Sequence, residues 1–192
     1  MNIEKSSIIR YLSKRKTLSE DEIIFLEQVF EKKIYAENEI VLEKGEICRH
    51  IYFIEKGVLK TYFTDDFGKE SINGIAIENN FCTSFSSFIN QTPSEEFIKT
   101  MEKSELIYIN FRNFKLLIEK YPIYKDIYVK ILEDYLTFLT WRMESVMAMS
   151  AKQRYETLMK IFPKLFLKIP NKDIAEYLAI TPETLSRVKS QK

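Results

Sequence analysis

A chain of 192 residues that is 45% apolar can bury a substantial core, in one large domain or two small ones. Its 29 Lys and Arg nearly balance 28 Asp and Glu, which excludes a protein basic along its whole length. The two cysteines, Cys48 and Cys82, exclude a disulfide framework and fall short of the roughly four thiolates an iron–sulfur cluster requires.

Met1 to Lys16 is rich in charge and has no apolar stretch of the signal-peptide type, and no run approaches the length of a membrane span. A cytoplasmic protein without membrane contact is therefore expected. Met1 to Lys33 reads as helical. Ser19 with Glu22 three residues on makes a capping box ahead of Ile23, Ile24, Leu26, Val29 and Phe30.

From Ile34 to Ile109 the texture changes to short β-rich runs: Ile40–Leu42, Ile51–Ile54, Val58–Phe63, Ser71–Ile77, Phe97–Met101 and Leu106–Ile109. Turn signals divide them, and all four glycines, Gly45, Gly57, Gly68 and Gly74, fall here. Many short strands with glycine turns predict an antiparallel β-roll or jelly roll within an α+β chain. Asn110 then caps a short helix through Phe114, Leu117 and Ile118. Pro122 opens a long one reaching about Met149, with a stripe of Tyr128, Leu132, Tyr135, Leu139, Met143 and Val146. A helix of that length is about 40 Å long at 1.5 Å per residue, and so much apolar surface needs a partner. That partner is either the β domain or a second copy of the same helix.

A further helix is predicted over Lys152 to Leu167. The most specific pattern follows it: Asn171 to Ser190 reads as two short amphipathic helices joined by a three-residue turn. Ile174, Ala175, Leu178, Ile180, Leu185 and Val188 are spaced to bury a shared face. Small Ala175 sits where the helices cross. Thr181 suits an N-cap, and Pro182 falls at the first helical position, where its missing N–H costs nothing. Ala179 occupies the turn position that usually carries glycine. The outward face offers Glu183, Thr184, Ser186, Arg187 and Lys189, the layout of a helix-turn-helix whose second helix enters the DNA major groove.

Charge is distributed accordingly. From Ser150 onward there are nine Lys and Arg against four Asp and Glu, leaving twenty against twenty-four before it. A basic C-terminal module on a mildly acidic body is the footprint of a nucleic-acid binder. No nucleophile–base pair, paired carboxylates or phosphate-cradling glycine loop appears, so no enzymatic activity is expected. His50 is the only histidine, and no metal site and no resident cofactor are expected.

The order of β-roll, long helix and helix-turn-helix resembles the cyclic-AMP receptor protein and fumarate-nitrate regulator (Crp/Fnr) family of bacterial transcription factors. The resemblance is carried by E-K-G-E-I-C-R-H-I-Y-F-I-E-K-G-V-L-K-T-Y from Glu43 to Tyr62, by A-K-Q-R-Y-E-T-L from Ala151, and by I-T-P-E-T-L-S-R from Ile180. It implies three segments: residues 1–121 as a cyclic-nucleotide-binding-like domain, 122–149 as a dimerisation helix and 150–192 as the DNA-binding domain. It implies a homodimer held by the long helix and a palindromic double-stranded operator, with RNA polymerase as a further partner. By position, Glu183 and Arg187 match the family's base-contacting pair. Arg can bridge guanine O6 and N7, and Glu can accept from cytosine N4. Pro182 stands where a further Arg is frequent, so the sequence read should differ. Thr181, Thr184, Ser186 and Lys189 are expected on phosphates.

The ligand segment departs from the family. A cyclic nucleotide there needs a Gly-Glu pair for the ribose and an Arg-Ser or Arg-Thr pair for the phosphate, since Arg supplies a planar cationic fork. Here Phe81, Cys82, Thr83, Ser84 and Phe85 occupy the first segment, with Thr83-Ser84 in place of Gly-Glu. Pro93, Ser94, Glu95 and Glu96 occupy the second, with two carboxylates and no Arg. Carboxylates repel an anionic ligand. Cyclic-nucleotide binding is not expected; these residues line the pocket of an unidentified small-molecule effector, or they fill the roll. The leading reading is a homodimeric, sequence-specific transcription regulator with a degenerate sensor. The alternative is an effector-binding or protein-interaction module that does not bind DNA.

Overall fold

The computed structural model describes residues 6–190. The outer ends of the expected first and last segments, 1–5 and 191–192, lie outside them. Helix α1 (Ser7–Ser13) and helix α2 (Glu20–Val29) lead into the roll. The capping box forms: the Ser19 side chain accepts from the Glu22 N–H while the Glu22 carboxylate accepts from the Ser19 N–H. The helical stretch expected to reach Lys33 ends sooner, because strand β1 (Phe30–Tyr35) starts directly at Phe30. Its charged Glu31, Lys32 and Lys33 hide the strand from a hydrophobicity count. Pairing with the roll overrides that composition.

The roll consists of β2 (Ile40–Leu42), β3 (His50–Lys56), β4 (Val58–Thr64), β5 (Glu70–Ile77), β6 (Phe81–Cys82), β7 (Phe97–Thr100) and β8 (Ser104–Asn110), with helix α3 (Phe85–Asn90) after β6. Two four-stranded antiparallel sheets face each other, ordered β1-β8-β3-β6 and β2-β7-β4-β5. Strand β6 and helix α3 were not anticipated; the one is too short and the other too rich in Ser to announce itself. Phe53, Ile54, Leu59, Phe88, Ile98, Leu106 and Ile107 have no exposure and form one core shared by the sheets and the helices packed on them. Gly57 turns β3 into β4 at φ +109, and a Cβ there would lie 2.6 Å from the Ser104 Cβ. Only glycine accepts both the angle and the approach.

The Asn110 side chain caps helix α4 (Phe111–Lys120) through the Asn113 N–H, 2.8 Å away. Helix α5 (Ile123–Ala148) follows Pro122 and changes character along its length. Its first turns lie on the roll, where Tyr124 and Ile127 are buried and Tyr128 meets the Phe114 ring at 4.9 Å. Beyond Tyr128 much of its apolar surface faces outward.

The helix expected over Lys152 to Leu167 is two, α6 (Ala151–Ile161) and α7 (Leu165–Lys168). Pro163 lies in the break, and the residue before a proline is pushed out of the helical region. Helices α8 (Asn171–Tyr177) and α9 (Pro182–Ser190) complete the described chain. Tyr155, Leu158, Leu165, Ile174, Ala175, Leu185 and Val188 form a second core, which Val58 and Ile72 of the roll also join. No helix among the described residues is long and apolar enough to cross a membrane.

Candidate nucleic-acid interface

The recognition face is built by three local devices. Helix α9 is capped by Thr181, whose Oγ1 accepts from the Thr184 N–H at 3.2 Å. Leu185 and Val188 anchor its inner face against Ile174 and Ala175 of α8, with Ala175 fully buried at the crossing. The turn between them passes through Ala179 at φ +53, a left-handed conformation that disfavours any residue with a Cβ. The Arg154 guanidinium supports that turn, donating to the Ala179 carbonyl at 3.3 Å and to the Val146 carbonyl at the end of α5 at 3.1 Å. One planar fork therefore ties the long helix to the recognition turn.

Thr181, Pro182, Glu183, Ser186 and Arg187 are exposed, and Thr184 is half-buried. Glu183 accepts from its own backbone N–H and the Thr181 hydroxyl, which hold its carboxyl below the ordinary range. It is thus an ionised acceptor at neutral pH. Among the described residues the Arg187 guanidinium has only a long contact to Thr184 Oγ1, 3.4 Å, and it faces outward. Lys189 is less free: its ammonium bonds Asn171 Oδ1 and lies 6.0 Å from the centre of the Phe166 ring.

The segments expected to line a ligand pocket are knitted together. The Ser94 and Ser84 hydroxyls share a hydrogen bond at 2.9 Å, and both residues are buried. Ser94 also lies 2.8 Å from the Glu96 carbonyl oxygen and accepts from the Glu96 N–H at 3.2 Å. Thr83 donates to the His50 carbonyl at 2.9 Å and touches the Cys48 thiol at 3.3 Å. Phe81 packs edge-on against Phe53 and Tyr11, at 5.0 and 5.3 Å. Burial pushes the Cys82 thiol far above its ordinary range, so it stays protonated. Phe85 is exposed, and Glu95 is exposed beside Lys44 at 3.5 Å. Each of the buried polar groups in these segments has a partner inside the chain. No group of three or more metal-ligating side chains occurs among the described residues.

The stripe on α5 divides. Tyr128 turns inward to Phe114, away from the exposed face. Tyr135 is 46% exposed, Met143 60% and Val146 44%, with Leu132 and Leu139 half-buried. Two residues outside the expected stripe, Val129 and Leu136, are exposed as well, Leu136 at 64%. Val129, Leu132, Leu136, Leu139, Met143 and Val146 alternate three and four residues apart, the heptad spacing of a coiled-coil seam. That 3-4 alternation was present in the sequence, masked by the tyrosines beside it. The arginines Arg142 and Arg154 were missed too. Nothing local separates a structural arginine from a solvated one.

Fold and site together define a class: an antiparallel roll of the cyclic-nucleotide-binding type, a long partly bare helix and a helix-turn-helix with an open polar face. Residues 32–121 match the family described as Cyclic nucleotide-binding domain. The chain is 24% identical to the regulatory protein HlyX of Actinobacillus pleuropneumoniae over 184 residues, 90% of this chain and 76% of that one. It is 25% identical over 187 residues to the fumarate and nitrate reduction regulatory protein of Vibrio cholerae, covering 90% and 73%. FixK2 from Bradyrhizobium japonicum has the same fold, with a TM-score of 0.75 at 15% identity over 85% of this chain and 84% of that one. Over most of its length the chain is similar to fumarate-nitrate-type regulatory proteins, and it shares the fold of solved Crp/Fnr-family regulators.

Proposed function

We propose that the chain is a homodimeric, sequence-specific DNA-binding transcription regulator. One observation carries this reading: α9 buries its apolar side in the C-terminal core and leaves Glu183, Ser186 and Arg187 open on the other. In the proposal Arg187 and Glu183 meet base edges, while Thr181, Thr184, Ser186 and Lys189 meet phosphates. Pro182 opens the helix. The bare heptad face from Val129 to Val146 packs on its copy, carrying two recognition helices to half-sites about 34 Å apart. A contact with RNA polymerase belongs to the same reading.

The two segments expected to line the pocket, 81–85 and 93–96, carry no Arg to hold a cyclic phosphate, and Ser84 and Ser94 there satisfy each other. We therefore propose a degenerate sensor, one that does not bind cyclic AMP. Selection of bound duplexes from a random pool tests the function. Enrichment of a palindrome is the expected result. Recovery of no sequence, at low salt, would overturn the DNA reading in favour of a protein-interaction module.

A further inference from the structure

Strands β4 and β5 form a hairpin, and β4 is buried on both faces from Val58 to Tyr62. Leu59 points into the roll core, while Val58 and Ile72 join the core of the C-terminal domain, with Ile75, Ile77 and Met101 packed around them. Charged contacts edge this junction. Lys60 is only 7% exposed, and its ammonium pairs with Glu70 and lies 3.9 Å from Asp173 Oδ1 on α8. Lys168 pairs with Glu78 and, at 2.8 Å, with Glu102. Glu176 on α8 accepts from the Ile72 N–H at 3.1 Å.

Arg142 stands where three parts of the chain meet. It belongs to α5 and its guanidinium lies 4.3 Å from the centre of the Tyr177 ring on α8. It also donates to the Asn73 carbonyl and, at 3.2 Å, to the Ile72 carbonyl on β5. Those carbonyls are presented by a β-bulge. Thr61 pairs with Gly74 and Tyr62 with Ile72, which leaves Asn73 as the extra residue. A bulge takes a residue out of the ladder and re-aims its polar groups. The same arginine thus grips the roll, the long helix and the helix-turn-helix. Asp173, Glu176 and Tyr177, at i, i+3 and i+4, share one face of α8, and these contacts leave Glu183, Ser186 and Arg187 of α9 exposed.

We propose that this junction is a clamp that sets the position of the recognition helix relative to the long helix, so that the β4–β5 hairpin determines which half-site spacing is accepted. The proposal rests on the DNA-binding reading above. Arg142 acts in it as a positioning residue and touches no DNA. A freely hinged domain follows a change in operator spacing, whereas a clamped one does not.

The test uses the full chain and the palindrome recovered from the random pool, with one or two base pairs added or removed at its centre. Each added pair shifts and rotates one half-site, and the wild type is expected to lose about tenfold in affinity per pair. Arg142→Gln is expected to lose about twofold per pair while remaining dimeric by sedimentation, because its grip on β5 and Tyr177 is gone. Arg142→Lys should behave like the Gln variant, since an ammonium cannot replace the planar fork. Parallel spacing profiles, with the variant merely weaker at every spacing, would overturn the clamp. If Arg142→Gln fails to fold by circular dichroism, Asp173→Asn decides, with the same flattened profile expected. A wild type that enriches no duplex removes the DNA-binding reading itself, a failure separate from parallel profiles.

Discussion

Two hydroxyl-rich segments of this chain look alike in composition and behave in opposite ways. Around residues 81–96 the hydroxyls of Thr83, Ser84 and Ser94 bond to one another or to nearby backbone. On α9 the cap hydroxyl of Thr181 serves the helix, while Ser186 and the guanidinium of Arg187 face outward. The difference lies in partners, not in residue type. Buried polar groups must be satisfied, and where the chain satisfies them itself a ligand has little to gain. Where it leaves charged groups open on a rigid, well-packed element, a partner can supply the bonds. A closed segment should therefore govern stability and an open one association.

The largest effect expected from that division falls on the bare face of α5. Leu136→Glu places a carboxylate at a position exposed in one chain and, in the proposed dimer, buried against its copy. Association should weaken by about 3 kcal/mol or more, while the monomer's secondary structure is unchanged. Sedimentation equilibrium reads this directly, and a variant as dimeric as the wild type would break the assignment of that face.

Arg187→Ala and Ser94→Ala form an opposed pair. The first should weaken operator binding by about 1–3 kcal/mol and relax preference at one base pair, with melting unchanged. The second strips the Ser84 hydroxyl and the Glu96 N–H of a buried partner and should cost about 1–3 kcal/mol of stability, with operator affinity unchanged. Urea denaturation and fluorescence anisotropy on both proteins give the four numbers needed. Exchange of the two phenotypes would overturn the comparison.

Ala179→Gly relieves a left-handed residue in the turn that holds the open face, and should stabilise the C-terminal domain by up to about 1 kcal/mol. A lower denaturation midpoint would show that the loss of the methyl group outweighs the strain. The smallest expected effect is none at all. Cyclic AMP or cyclic GMP, titrated into the millimolar range, should leave the melting temperature where it is, because only a ligand that binds the native state raises it. A saturable rise would mean that the serine-closed segment opens to a phosphate.

Much of the architecture was legible because it rests on local chemistry. The Ser19 capping box, the Asn110 cap, most strands, the turn glycines and the spacing of Ile174, Ala175, Leu185 and Val188 each declare themselves within a few residues. Strand β1 was not legible, because its Glu and Lys residues mimic a helix end and only pairing with β8 makes it a strand. The α5 seam was legible in outline. Choosing Val129 over Tyr128 required knowing which side of the helix the roll covers, and Phe114 decides that.

By itself the sequence determined most of the elements, their order and the polar set on α9, since caps, periodicity and turn residues act over one or two turns of chain. Only the tertiary structure decided which of those polar groups are already satisfied and which stand open. Ser84 meets Ser94 ten residues away, Arg142 meets Asn73 across 69 positions, and Glu176 meets Ile72 across 104. A hydrogen bond is set by distance in space, and a one-dimensional pattern does not carry that distance.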